Sequence, residues 1–414
     1  MPDHGSGEPY ALYFTISQQL ASGITNLKFT VPSPAIMRIL NRLAHTPAVV
    51  VITLSAVALA ASGSGNGVAS PPGAPAFISG QGGYDCYRIP ALISLESGDL
   101  VAFAEGRKFS CSDHDWNDIV SRRSTDGGKT WSDIQVVYGA STPSNHVTIG
   151  NPAPALGLDG KTIHLPFCRN NNAVLYLSST DGGKTWPSKP VDITSQVVPS
   201  TWSWVATGPP GSIVTSKGSI LVAADHTEGG QPGSHTFQSD DGGATWKLNA
   251  ILKQGNECQV AELPPPSHAG SNGSASAAGN LVLNMRSANN TQHARLIGRS
   301  SDGGHSWTVA EAKEMPDPHC EGSMVVGAAS TSTTSTSSRT SSRIGPSSSG
   351  VRALPALYAS NAASTSTRTN MTVYSSHDGG SSWQNLRNVF AGASAYSSLQ
   401  VLGSAVPSGP RSVE

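Results

Sequence analysis

The residues of this 414-residue chain that could do chemistry fall into three types. Arginines stand at Arg88 in Y-R-I-P-A-L, Arg107 at the end of V-A-F-A-E-G-R, Arg286 in L-N-M-R-S and Arg368 at the head of R-T-N-M-T-V-Y-S-S. A planar, permanently charged guanidinium clamps a carboxylate through paired bonds, although an arginine taken alone is most often an ordinary surface residue. Carboxylates suited to acid–base work occur in K-F-S-C-S-D-H-D-W-N-D-I-V, as Asp113, Asp115 and Asp118, and in N-E-C-Q-V-A-E-L, as Glu257 and Glu262. In a strand an offset of five puts Glu257 and Glu262 on opposite faces, and the aspartate run also reads as a solvated acidic turn. Tyr396 in A-Y-S-S-L-Q is a phenol whose unperturbed pKa of about 10 makes it a weak nucleophile unless a base lies within hydrogen-bond reach.

The elements that must position these groups show in a repeat. S-T-D-G-G-K-T-W at 124–131 recurs at 179–186, then as S-D-D-G-G-A-T-W at 239–246, S-S-D-G-G-H-S-W at 300–307 and S-H-D-G-G-S-S-W at 376–383. The offsets are 55, 60, 61 and 76 residues, and periods in this range mean a propeller or an array. D-G-G is a hairpin turn: glycines take the positive-φ positions and the aspartate bonds amides inside the turn. The tryptophan then packs into the blade. Strand-like runs such as I-V-S-R-R-S and A-V-L-Y-L-S precede the turns, and four strands per blade account for the period. The long last offset holds an insert, since 15 of the 21 residues at 330–350 are Ser or Thr and cannot bury enough surface to order themselves. A second insert spans 264–279.

Composition narrows the partners. With 26 Lys+Arg against 27 Asp+Glu there is no basic field for nucleic acid. The 44 glycines and 28 prolines fit many turns between short strands. Five cysteines include no C-x-x-C pair, so no metal site is indicated. Cys86 and Cys111 are the expected bridge because they flank one strand pair. The apolar run at 48–61 is too short to span a bilayer of about 30 Å, but residues 37–60, with Arg38 and Arg42 first and small Ala58 and Ala60 last, have the layout of a secretory leader. Residues 1–36 are then an upstream extension, expected to be disordered, and 61–75 a linker. Sequons at Asn272, Asn289 and Asn370 agree with that route.

The octapeptides resemble the Asp boxes of sialidase-like propellers, which specify a fold and not a chemistry. Arg88, Arg107 and Asp113, at offsets of 19 and 6 ahead of the first box, resemble the signature of the exo-α-sialidases of the bacterial and animal type. The resemblance is co-linear over about 80–400. It implies an all-β, six-bladed propeller over 76–414. Family members continue beyond the tyrosine strand through a segment whose glutamate orients the first clamp arginine. Nothing after A-Y-S-S-L-Q matches it, so the last blade is expected to be incomplete and Arg88 to lack that positioning partner, unless a residue already present, Glu105 or Glu321, holds it.

The resemblance also implies roles. Arg88, Arg286 and Arg368 clamp the substrate carboxylate, Tyr396 attacks in place of a carboxylate that this anion would repel, Glu257 serves as its base, and Asp113 is the acid and then the base. Arg107 meets the C4 hydroxyl side, and 201–211 helps form an N-acetyl pocket, where alternation is expected to turn only one of Trp202 and Trp204 toward the sugar. The implied activity is a retaining exo-α-sialidase needing no cofactor, acting on sialylated glycoproteins, glycolipids or oligosaccharides. A trans-sialidase, a hydrolase preferring deaminated sialic acid and an inactive sialic-acid-binding lectin stay open. Loss of Asp113, Glu257 or Tyr396 would mark the lectin, and none is lost.

Overall fold

The computed structural model describes residues 10–19, 49–58, 74–264, 280–288, 293–327 and 356–402. The insert 330–350, nearly all of 264–279, Asn272, Asn289 and most of the extension, leader and linker lie outside them.

Antiparallel sheets follow one another in chain order. The first pairs Cys86–Ser94, Leu100–Arg107, Asn117–Ser124 and Gln135–Tyr138 in sequence. Sheets over residues 149–192, 202–252 and 258–316 repeat the plan, and a fifth begins with Gly322–Val326, Leu357–Ala362 and Thr369–Ser376. One turn of helix, Thr194–Val197, is the only helix among the described residues. Strands covered on both faces read as nearly continuous apolar runs, and every residue of Leu100–Arg107 is buried. Phe103 and Phe167, both fully buried, help to fill the seam between the first two blades. Each such phenylalanine stabilises the packing by about 1.5–3 kcal/mol.

The expected six-bladed ring with an incomplete last blade takes the form of five sheets with a shared sixth position. Its cause is one 19-residue strand, Gln384–Leu402, which runs unbroken from the fifth blade into the next position and fuses the two into a seven-stranded sheet. Its first half pairs with Thr369–Ser376. Its second half closes the ring: Leu399 N donates to Ser323 Oγ at 2.9 Å on one side, while Leu92 N donates to Ser398 Oγ at 3.1 Å on the other. Outside it pair Val49–Ala58, then Tyr10–Gln19, then Pro75–Ile78. The first two of these strands lie within the stretches that the sequence assigns to a leader and an extension.

Each box joins the third strand of its blade to the fourth. Asp126 accepts the amides of Lys129 and Thr130, both at 3.0 Å, and the hydroxyl of Thr130 at 2.6 Å. The other four boxes anchor their aspartates in the same way. The ten box glycines have φ between 71° and 98°, a region that side chains avoid.

Candidate active site

Strand direction gathers the polar residues at one end of the ring. In each antiparallel blade the first strand starts, the second ends and the third starts at the same end, and the box follows the far end of the third. Arg88 is near the start of Cys86–Ser94 and Arg107 ends Leu100–Arg107. Glu257 immediately precedes Cys258–Glu262, Arg286 follows Leu281–Met285 and Arg368 precedes Thr369–Ser376. Tyr396 sits where the long strand leaves the fifth blade. All lie opposite the boxes.

These residues meet. The Tyr396 hydroxyl donates a short hydrogen bond to Glu257 Oε1. Arg286 Nη1 donates to Glu257 Oε2 at 2.7 Å and lies 3.5 Å from the Tyr396 hydroxyl. The guanidinium carbons of Arg88 and Arg368 stand 5.6 and 5.9 Å from the Tyr396 ring centre. Three cations from three blades thus surround one phenol. Burial and the Glu257 charge push the Tyr396 hydroxyl well above its ordinary pKa, so the group is a neutral phenol whose proton already points at a base. Burial opposes the charge of Arg286, but Glu257 and Tyr396 outweigh it and raise its pKa.

Asp113 is held by two arginines at once, since Arg88 Nη1 and Arg107 Nη1 each reach its Oδ1 at 2.8 Å. Burial pushes its carboxyl up, but these two cations outweigh it and hold it below the usual value. Its loop is pinned by the Cys86–Cys111 disulfide, as expected, and by Arg107 Nη1 donating to Cys111 O at 2.6 Å. The rival carboxylates are committed elsewhere. Asp115 meets His146 Nδ1 at 2.6 Å, Asp118 accepts Tyr84 OH at 2.9 Å and Trp116 Nε1 at 3.2 Å, and Glu262 binds Ser216 of the neighbouring blade.

Two sequence expectations need correction. Glu105 does not hold Arg88: it binds Arg107 at 2.7 and 3.0 Å, while Glu321 accepts the amide of Ser397 at 2.7 Å, and the carboxylate on Arg88 is Asp113. The alternation argument for Trp202 and Trp204 also fails, because residues two apart share a face of a regular strand. A register shift between them separates the rings instead. Trp202 stacks on His226 with ring centres 4.0 Å apart, whereas Trp204 Nε1 donates to Asp225 Oδ2 at 3.0 Å and its ring meets the edge of His114.

Asp225 is a polar residue that sequence reasoning missed. It is buried, receives Asn256 Nδ2 at 3.2 Å, and burial together with Glu257 raises its carboxyl pKa far above the ordinary value. It ties the Trp204 indole to Asn256, the residue that precedes Glu257. The only signal was one aspartate inside the otherwise apolar run I-L-V-A-A-D-H.

A family model described as a BNR repeat-like domain matches residues 98–406. The chain belongs to that family. By sequence it is similar to exo-α-sialidases. It is 29 % identical over 293 residues to a sialidase of Bacteroides fragilis, covering 63 % of this chain and 51 % of that protein. It is 28 % identical over 276 residues to an exo-alpha-sialidase of Arthroderma benhamiae, covering 59 % of this chain and 60 % of that one. The chain thus spans about half to three fifths of these curated relatives. Among solved structures it resembles the Hadza microbial sialidase Hz136, with a TM-score of 0.62 and 22 % identity over 78 % of this chain and 67 % of that one, a likeness of fold.

Proposed function

We propose that this protein is a retaining exo-α-sialidase that releases terminal sialic acid from glycoconjugates through a tyrosyl intermediate. The observation that carries the reading is the convergence of Arg88, Arg286 and Arg368 on one phenol that is hydrogen-bonded to Glu257. Such a site suits a substrate with an anion on the reacting carbon, where a carboxylate nucleophile would be repelled.

The chemistry follows from the geometry. The arginines take the substrate carboxylate, Tyr396 Oη attacks the anomeric carbon and its proton passes to Glu257. Asp113 gives a proton to the glycosidic oxygen as that bond breaks. In the second step Asp113 takes a proton from water, the hydroxide displaces Tyr396, and the phenolate recovers its proton from Glu257. Asp113 must be protonated to start, and the substrate carboxylate prepares it: by neutralising Arg88 it weakens the field that now holds Asp113 ionised. The identity of the relatives supports the same reading.

A release assay on a fluorogenic sialoside tests it. Liberated sialic acid is expected, whereas tight binding of the glycoside without turnover would sink the reading in favour of a lectin. The same proposal puts the protein on the secretory route with residues 37–60 as a leader, whose removal would take Val49–Ala58 and Tyr10–Gln19 off the edge of Gln384–Leu402, and the Cys86–Cys111 bridge supports an oxidising compartment. Mass spectrometry of the exported protein should find its N-terminus near residue 61, and an intact Met1 on exported protein would exclude the leader.

A further inference from the structure

We propose that Phe109, Trp116 and His146 form a stacking platform for the hexose to which the sialic acid is joined, so that they select the leaving group; this rests on the sialidase reading above. Asp113 delivers its proton to the glycosidic oxygen. The next sugar must therefore lie on the solvent side of Asp113, against whatever its loop presents.

That loop presents rings. Phe109 meets Trp116 edge-on with centres 6.1 Å apart and lies tilted against His146 at 5.3 Å, and Trp116 and His146 are 5.7 Å apart. Phe109 is 51 % exposed, where a phenylalanine without a role would gain by burial. Polar bonds fix the rings beneath it, since Trp116 Nε1 is held by Asp118 and His146 Nδ1 by Asp115. The loop itself is closed at its base by Lys108 N donating to Trp116 O at 3.0 Å and tied to the next blade by Asp115 N on Thr148 Oγ1 at 3.1 Å. A preorganised aromatic face loses little entropy on binding. A pyranose offers a matching surface, because one side of its ring carries mainly C–H bonds while its hydroxyls point outward, here toward Asp113 and Asp115.

The test compares two glycosides: sialyllactose, whose hexose reaches the platform, and the methyl α-glycoside of sialic acid, whose aglycone does not. Phe109→Ser should lower kcat/KM for sialyllactose by about fivefold, mainly through KM, the size of one aromatic contact. Turnover of the methyl glycoside should stay within about twofold, which also reports that the variant is folded. Phe109→Tyr, which keeps the ring, should restore the ratio. If Phe109→Ser leaves the ratio of the two substrates unchanged, the platform is overturned while the activity stands. If the wild-type protein hydrolyses neither glycoside, the sialidase reading fails and the platform falls with it.

Discussion

Asp181, at the foot of the second blade, and Glu257, at the head of the fourth, are carboxylates whose oxygens are engaged by different means. Asp181 takes the Ser179 hydroxyl, the amides of Lys184 and Thr185 and the Thr185 hydroxyl, all within four residues of itself. Glu257 takes Tyr396, 139 residues away, and Arg286, 29 residues away. The first carboxylate organises its own turn and would do so in any blade. The second has Arg286 from the paired strand of its own blade but finds Tyr396 only after the ring has closed through Gln384–Leu402. Local bonding builds the scaffold five times over, and non-local bonding builds the site once. A scaffold residue can therefore be lost with small effect, while each residue of the site answers for all of the chemistry.

The sharpest way to break that contrast is Tyr396→Phe. It removes the attacking oxygen and leaves the arginine clamp untouched, so kcat should fall by at least about a thousandfold while ligand binding persists. Turnover close to the wild-type rate would remove Tyr396 from the mechanism. Arg286→Lys should come next, with kcat/KM lower by about a hundredfold. A point-like ammonium cannot reproduce a planar fork, and it would leave the buried Glu257 poorly paired. Affinity for an unsaturated sialic-acid analogue measures the clamp directly. An unchanged dissociation constant would show that Arg286 serves Glu257 alone.

The same contrast explains what the sequence disclosed. The boxes were legible because their contacts are local: Ser, Asp, two glycines and a Trp at fixed spacing carry the whole structure of the turn. Arg88, Arg107 and Asp113 share a short stretch and came with a motif. The convergence of Glu257, Arg286, Arg368 and Tyr396 was reachable only through resemblance, since no spacing rule brings residue 257 to residue 396. Of three other facts, one had a local sign that went unread and two had none. The partner of Glu105 is Arg107 because residues two apart at a strand end share a face. The register shift that parts Trp202 from Trp204 depends on the neighbouring strand. The fusion of the fifth and sixth positions arises because Gln384–Leu402 has no interrupting turn.

The smallest effect is expected from a box. Burial slightly opposes ionisation of Asp181, but the Thr185 and Ser179 bonds outweigh it and hold its carboxyl well below the usual range; the corresponding bonds bring Asp241 and Asp378 to about 2. A carboxyl depressed in the folded state stabilises above its unfolded value of about 3.9, and that contribution is lost as pH falls through the folded value. Asp181→Ala should therefore lower Tm by only a few degrees at pH 7, and the gap between variant and wild type should narrow as both are measured toward pH 2. Sialoside hydrolysis at neutral pH should stay within about twofold, because no bond of the turn reaches the opposite end of the blade. Melting curves at pH 7 and pH 3, with one activity measurement, decide the matter. A large loss of activity with little change in Tm would show that the two ends of the blade are coupled, and the division between a self-sufficient scaffold and a closure-dependent site would have to be abandoned.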